Sequence, residues 1–169
     1  MNIRIAQQQD VIQIVELLNT AYRTNLGWTN EAEYIKGERI QVHQLEQLLK
    51  RKQYQLFVYE TENKIQACIA LDFNPMHVEI GSFAVHPKYQ NQGFGKQLLV
   101  YVENLIQNEH PHLKLIMSVL NVRTELIEYY LRRGYKHMGI TQEYPTEANV
   151  GVPIVPLHLV ILEKSVISN

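Results

Sequence analysis

The sequence predicts one α/β domain (equally α+β) over 1–169, a mixed central β-sheet flanked by helices, and three observations predict it. Segments whose apolar residues alternate interleave with segments whose apolar residues recur at helical spacing, in the order β-α-α-β-β-β-α-β-α-β-β. A chain of 169 residues that is 46% apolar and 20% charged can bury one sizeable core without staples. No repeat, charge block or linker-like run divides it.

Ile3 and Ile5 alternate with polar neighbours as a strand does, and after Asp10 the positions Val11, Ile14, Val15, Leu18 and Tyr22 mark one helical face. Arg23 to Glu38 has no periodicity, and a second helix follows with Val42, Leu45, Leu48 and Leu49 inward. Tyr54 to Glu60 and Ile65 to Leu71 are β-rich runs around Thr61-Glu62-Asn63-Lys64, which reads as a hairpin turn. Val78 to Val85 is the next strand. Pro87, Gly93 and Gly95 then break the pattern before the stripe of Leu98, Leu99, Val102, Leu105 and Ile106. Leu113 to Leu120 reads as a strand buried on both faces. Thr124 offers an N-cap for a short helix with Leu126, Ile127, Tyr130 and Leu131, stopped by Gly134. Tyr135 to Tyr144 and Leu157 to Glu163 are the last strands, joined through Pro145, Gly151, Pro153 and Pro156.

Composition excludes several classes of function. With 16 basic and 17 acidic side chains the formal charge is -1, so no global field attracts a nucleic acid. No run approaches the ~18 apolar residues of a membrane span. The start at Met1-Asn2-Ile3-Arg4 opens directly into alternating structure, so no secretory leader is expected. Cys68, the one cysteine, lies in the apolar run Ala67 to Leu71 and has no internal partner, which points to a reducing, cytoplasmic setting. The seven histidines show no ligand spacing, so no metal site is expected. A monomer or a homodimer fits these constraints.

The informative stretch is Gln90-Asn91-Gln92-Gly93-Phe94-Gly95-Lys96, placed between a strand and a helix. Free N–H groups at a helix start, with the positive end of the helix dipole behind them, bind an anion without a basic side chain. A P-loop needs Ser or Thr where Gln97 stands, and a dinucleotide fingerprint needs a small residue where Leu98 stands.

Here the sequence resembles the GCN5-related N-acetyltransferases (GNAT), whose signature is Gln or Arg, two variable residues, Gly, one variable residue, then Gly or Ala. Gln90, Gly93 and Gly95 match it. Phe83-Ala84-Val85-His86-Pro87 is similar to the family's fourth strand and its exit, and Tyr130-Leu131-Arg132-Arg133-Gly134-Tyr135 to its motif of an aromatic, three residues, then Gly-Phe or Gly-Tyr. The resemblance implies the acyl-CoA N-acyltransferase fold, with acetyl-CoA as co-substrate and no metal. It implies that backbone N–H groups of Gln92 to Lys96 hold the CoA pyrophosphate, while Phe83 and Val85 pair with pantetheine through a gap between splayed strands. The implied carrier set is Phe83, Ala84, Val85, Gln90, Asn91, Gln92, Gly93, Phe94, Gly95, Lys96 and Asn121. Asn121 either bonds pantetheine or serves as a turn residue.

Acetyl transfer needs a neutral amine, an oxyanion site and a proton for the thiolate. By the family motif Tyr130 is the candidate acid, unless it is a core aromatic; Tyr129 faces about 100° away. The backbone amide of Phe83 or a neighbour is the candidate oxyanion donor. Glu79 is the candidate base, because several relatives carry a carboxylate there that acts through water; strand alternation puts it on the face of Gly81, Phe83 and Val85. A solvated glutamate is the alternative. Cys68 on a buried strand is a poor nucleophile, so direct transfer is expected. Tyr22, Arg23, Trp28, Thr29, Glu31 and Arg39 gather where relatives build the acceptor pocket, with Tyr22, Trp28 and Glu31 as candidate contacts to a small-molecule or peptide amine. Trp28 could instead anchor its loop, and Glu31 either recognises a cationic amine or is solvated. A non-catalytic acyl-CoA-binding regulatory module is the competing function.

Overall fold

A computed structural model describes residues 2–28 and 30–167. Thr29, one of the residues expected around the acceptor pocket, lies outside them. The elements are β1 (Ile3–Ile5), α1 (Val11–Arg23), β2 (Ile35–Lys36), α2 (Val42–Leu49), β3 (Tyr54–Thr61), β4 (Lys64–Phe73), β5 (His77–Val85), α3 (Phe94–Glu109), β6 (Lys114–Leu120), α4 (Thr124–Leu131), β7 (Lys136–Glu143), β8 (Val152–Pro153) and β9 (His158–Ser165). The main sheet runs β1-β3-β4-β5-β6-β9-β7, and β2 pairs with β8 in a separate ribbon.

The fold is the mixed α/β sheet that the sequence predicts. Its pairings are antiparallel except β5 with β6, the pair joined through α3. The β3–β4 hairpin turns on Glu62 (φ 51°) and Asn63 (φ 60°), two successive left-handed residues whose twist matches that of the strands. β4 runs through the middle of the core, which is why Ala67 to Leu71 is unbrokenly apolar. Ile69 and Leu71 pack with Leu98, Leu99, Val102 and Ile106 of α3 on one face. Cys68 and Ala70 pack with Ile14, Leu17 and Leu18 of α1 and Leu45 of α2 on the other. Each fully enclosed leucine contributes about 2 kcal/mol of burial free energy.

Three details differ from the sequence reading. β2 and β8 form inside stretches read as irregular, because two residues carry no periodicity. Thr124 is the first helical residue of α4 and the cap position belongs to Arg123, without a side-chain cap. The third detail concerns β5. Cys68 pairs with Ala84 and Ala70 with Gly81, so Ser82 and Phe83 together face the single residue Ile69. This is a β-bulge, with Ser82 at φ 43°, and it reverses the alternation of the strand. Glu79 and Gly81 therefore share a face with Ala84 towards α1, whereas Phe83 and Val85 pack on the α3 side. The expected placement of Glu79 on the face of Phe83 and Val85 is corrected by that one extra residue.

β5 and β6 are paired only from His77 with Lys114 to Ile80 with Met117. Beyond that point β5 continues along β4 as far as Val85, and β6 continues along β9 as far as Leu120. The two strands diverge, and a gap opens at their C-terminal ends.

Candidate active site

The gap leads into a cleft of about 310 Å³. Phe83, Ala84 and Val85 form one wall, the loop and first turn of α3 a second, and Leu126, Tyr129, Tyr130 and Arg133 of α4 and its end a third; Tyr22 and Trp28 close it from the α1 side. His86 donates its backbone N–H to Gln66 on β4, so strand alternation turns the amides and carbonyls of Phe83 and Val85 away from β4, towards the opening.

The two glycines of the loop serve different physical needs. Gly93 caps α3 at φ 83°, a left-handed conformation that costs any side-chain-bearing residue. Gly95 lets helix and strand approach, since a Cβ there would stand 3.1 Å from Val85 Cγ2. Gln97 N–H is bonded to the Gly93 carbonyl at 3.0 Å, so the amides of the turn before it have no intrahelical acceptor. Asn91, Gly93, Phe94, Gly95 and Lys96 line the cleft; Gln92 does not, and its side chain reaches the Lys88 carbonyl at 3.5 Å. Gln90 does more than lead the motif. Its side chain donates to the Val85 carbonyl at 3.3 Å and accepts from Trp28 N–H at 3.2 Å, tying the segment before Asn30 to the end of β5. Gly27 is needed beside it, because a Cβ there would lie 2.5 Å from Gln90 Oε1.

Tyr130 reaches the cleft from α4. It is 6% exposed, and its ring meets Phe83 at 6.5 Å, Tyr129 at 5.3 Å and Tyr135 at 5.7 Å between centroids. Burial first, then the neighbouring phenols of Tyr22 and Tyr129, push its pKa well above that of an ordinary tyrosine. The hydroxyl has no hydrogen-bond partner among the described residues, yet it is not a sealed, unsatisfied atom. Tyr129 also lines the cleft, although helical phase turns it aside. The Arg133 guanidinium lies 3.3 Å from the centre of its ring, and Trp28 packs against it at 6.0 Å.

Other expected site residues have partners of their own. The Glu79 side chain is 60% exposed beside His77, at 3.3 Å, and does not line the cleft. Asn121 makes reciprocal bonds with His158, its Oδ1 accepting the His158 amide at 3.0 Å, as a residue joining two strand ends would. Glu31 is held by Arg23 at 2.8 Å with both side chains largely buried, so its charge is already neutralised. Tyr22 does line the cleft and donates its hydroxyl to the Phe83 carbonyl at the bulge. Trp28 is 42% exposed rather than anchored by burial; it lines the cleft, and its backbone is bonded to the side chains of Gln90 and Arg123.

Arg123 had no signal in the sequence. It is 3% exposed at the β6–α4 turn, pairs with Glu125 at 2.6 Å, and donates to the carbonyls of Trp28 at 2.8 Å and Asn30 at 3.1 Å. Together with Gln90 it fastens the segment around Trp28 across the opening. Among the described residues no group of His, Cys, Asp and Glu is placed to hold a metal ion, and no helix is long and apolar enough to cross a membrane.

Diverging strands beside an amide-bearing helix start define the class of acyl-CoA N-acyltransferase folds. The model of the acetyltransferase (GNAT) domain family matches residues 26–159, and the chain belongs to that family, whose chemistry is acetyl transfer. The structure of smu.2055 from Streptococcus mutans UA159 is 18% identical, covering 99% of this chain and 100% of that one at a TM-score of 0.76. The ribosomal-protein-S18-alanine N-acetyltransferase of Escherichia coli is 16% identical, covering 99% and 94% at a TM-score of 0.73. A GNAT acetyltransferase from Elizabethkingia anophelis, solved with acetyl-CoA bound, is 22% identical, covering 97% and 98% at 0.66. At these identities the likeness is one of fold. A comparison with curated proteins found no significant match.

Proposed function

We propose that this chain transfers the acetyl group of acetyl-CoA directly to the amine of a small molecule or peptide. The observation that carries the reading is the divergence of β5 from β6 beside the free amides of α3, with Tyr130 in the same cleft. The amides of Gly93 to Lys96 would hold the pyrophosphate, supported by the positive end of the α3 dipole and by Lys96. The outward N–H and C=O groups of Phe83 and Val85 would pair with pantetheine as a short added strand. The thioester carbonyl would then sit at the bulge, where the Phe83 amide is the available oxyanion donor.

A neutral amine attacks the carbonyl carbon, and the tetrahedral intermediate collapses with cleavage of the C–S bond. The Tyr130 O–H hydrogen-bonds the departing sulfur, and the proton shed by the new amide nitrogen passes to the thiolate through it or through solvent. Its raised pKa makes Tyr130 a donor of a hydrogen bond rather than of a free proton, which suits a transition state with partial charge on sulfur. Cys68 takes no part: it is fully buried, its pKa is pushed up to about 12, and its thiol donates to the Ser82 carbonyl at 3.2 Å. Glu79 is not carried forward as base, because its exposed carboxylate lies beside His77 and does not line the cleft.

The test is release of free CoA thiol from acetyl-CoA across amino acids, peptides, polyamines and amine-bearing antibiotics. Amine-dependent, saturable release is expected. Stabilisation by acetyl-CoA with no turnover on the whole panel would instead identify a binding module.

A further inference from the structure

Arg39 is the anomaly of the α1 face. The guanidinium groups of Arg4, Arg23, Arg51 and Arg123 each hold a carboxylate within 3.0 Å. That of Arg39 has neither an ion-pair nor a hydrogen-bond partner among the described residues, although the residue is half-buried between β2 and α2. The guanidinium carbon lies 5.7 Å from the centre of the Tyr22 ring. The other end of that tyrosine is bonded to the Phe83 carbonyl at the bulge. Arg39 is thus one tyrosine ring away from the place where the amine must meet the thioester. It stands on the face of the sheet opposite α3, clear of the amides that take the pyrophosphate.

The surroundings are hydroxyls. Tyr54 Oη and Ser82 Oγ lie 3.5 Å apart on this side of β5, and the charge of Arg39 reaches Tyr22, Tyr54, Tyr144 and Cys68, opposing in each the effect of burial. Three carboxylates near this face are engaged elsewhere, Glu31 with Arg23, Asp72 with Arg51 and Glu79 with His77. A guanidinium drawn partly out of water without an anion gives up hydration and regains it when a carboxylate docks on its planar fork.

Resting on the acetyl-transfer reading above, we infer that Arg39 binds a carboxylate of the acceptor, so that the substrate is an amine that also bears an acid group. Tyr22 sets the spacing between that carboxylate and the acetyl group. Polyamines and aminoglycosides, which bring only positive charge, meet an uncompensated cation there and are excluded. A free amino acid and the C-terminus of a short peptide share this chemistry.

The experiment uses matched acceptors on the full chain: an amino acid, its carboxamide, the decarboxylated amine, and a dipeptide carrying the same side chain. The amino acid or the dipeptide is expected to exceed both neutral-ended analogues by about tenfold or more in kcat/KM, and the ranking of those two says which source of carboxylate fits. Arg39→Gln should erase that preference through KM while leaving kcat and the neutral analogues within about twofold, and Arg39→Lys should restore part of it. Because Trp28 is the one tryptophan and lines the cleft, its fluorescence reports acetyl-CoA binding, which should not change in either variant. Equal use of all four acceptors by the wild type, or an Arg39→Gln variant that keeps the preference, overturns the inference while leaving acetyl transfer intact. Binding of N-acetylated amino acids to the CoA-loaded protein needs no turnover. Arg39-dependent binding without any turnover would sink the transferase reading alone, and binding indifferent to Arg39 would sink this one.

Discussion

Replacing Tyr130 by phenylalanine removes one oxygen and tests the chemistry with little disturbance of the fold. The hydroxyl has no bonded partner among the described residues, so no donor or acceptor is stranded, and the ring contacts with Phe83, Tyr129 and Tyr135 survive. Stability should change by no more than about 0.5 kcal/mol, within the spread of mild substitutions. Catalysis should lose one hydrogen bond to developing charge, worth about 1.5–3 kcal/mol, which is roughly a 10- to 150-fold fall in kcat. The assay is thiol release at saturating acetyl-CoA and amine, run beside a thermal melt of each protein. The pH profile gives a second arm. Since burial raises the Tyr130 pKa above the ordinary 10.0, the hydroxyl stays protonated over the working range. Activity of the wild type should climb with pH as the amine loses its proton, with no descending limb below about pH 10. Full activity in the phenylalanine variant, with an unchanged melting temperature, would refute the assignment of Tyr130 as the donor.

Glu79→Gln should leave kcat within about twofold, because the carboxylate is exposed beside His77 and outside the cleft lining; a loss beyond tenfold at constant KM would restore it as a base. Gly93→Ala meets no atom within 4 Å of the new Cβ, so its cost is that of the left-handed backbone alone, about 1–2 kcal/mol or roughly 2–8 °C in Tm by melting. An alanine variant as stable as the parent would mean that the loop relaxes out of this conformation. With its pKa near 12 and no exposed surface, Cys68 should resist a thiol reagent in the folded protein and react once per chain in denaturant. Rapid labelling of the native protein would reopen a covalent route.

The sequence by itself determined most of the fold and the glycine-bearing side of the cleft. Helical stripes such as Leu98, Leu99, Val102 and Ile106, and the apolar run through Cys68, are periodic or continuous because each buries a whole face, and burial leaves a pattern that one dimension preserves. Gly93 and Gly95 were legible for a similar reason, since a left-handed cap and a close helix–strand approach each demand a particular residue type at a particular place. What only the tertiary structure decided is set by contacts between distant segments. The extra residue at Ser82 and Phe83 set Glu79 on the opposite face from Phe83 and Val85, and a one-residue bulge leaves no trace in hydrophobic alternation. Glu31 met Arg23, Asn121 met His158, and Gln90 and Arg123 met the backbone around Trp28, because which polar groups pair depends on where the chain returns. Arg39 stood in the sequence among the polar residues of the acceptor side; only the fold set it beside Tyr22 with no carboxylate to hold among the described residues.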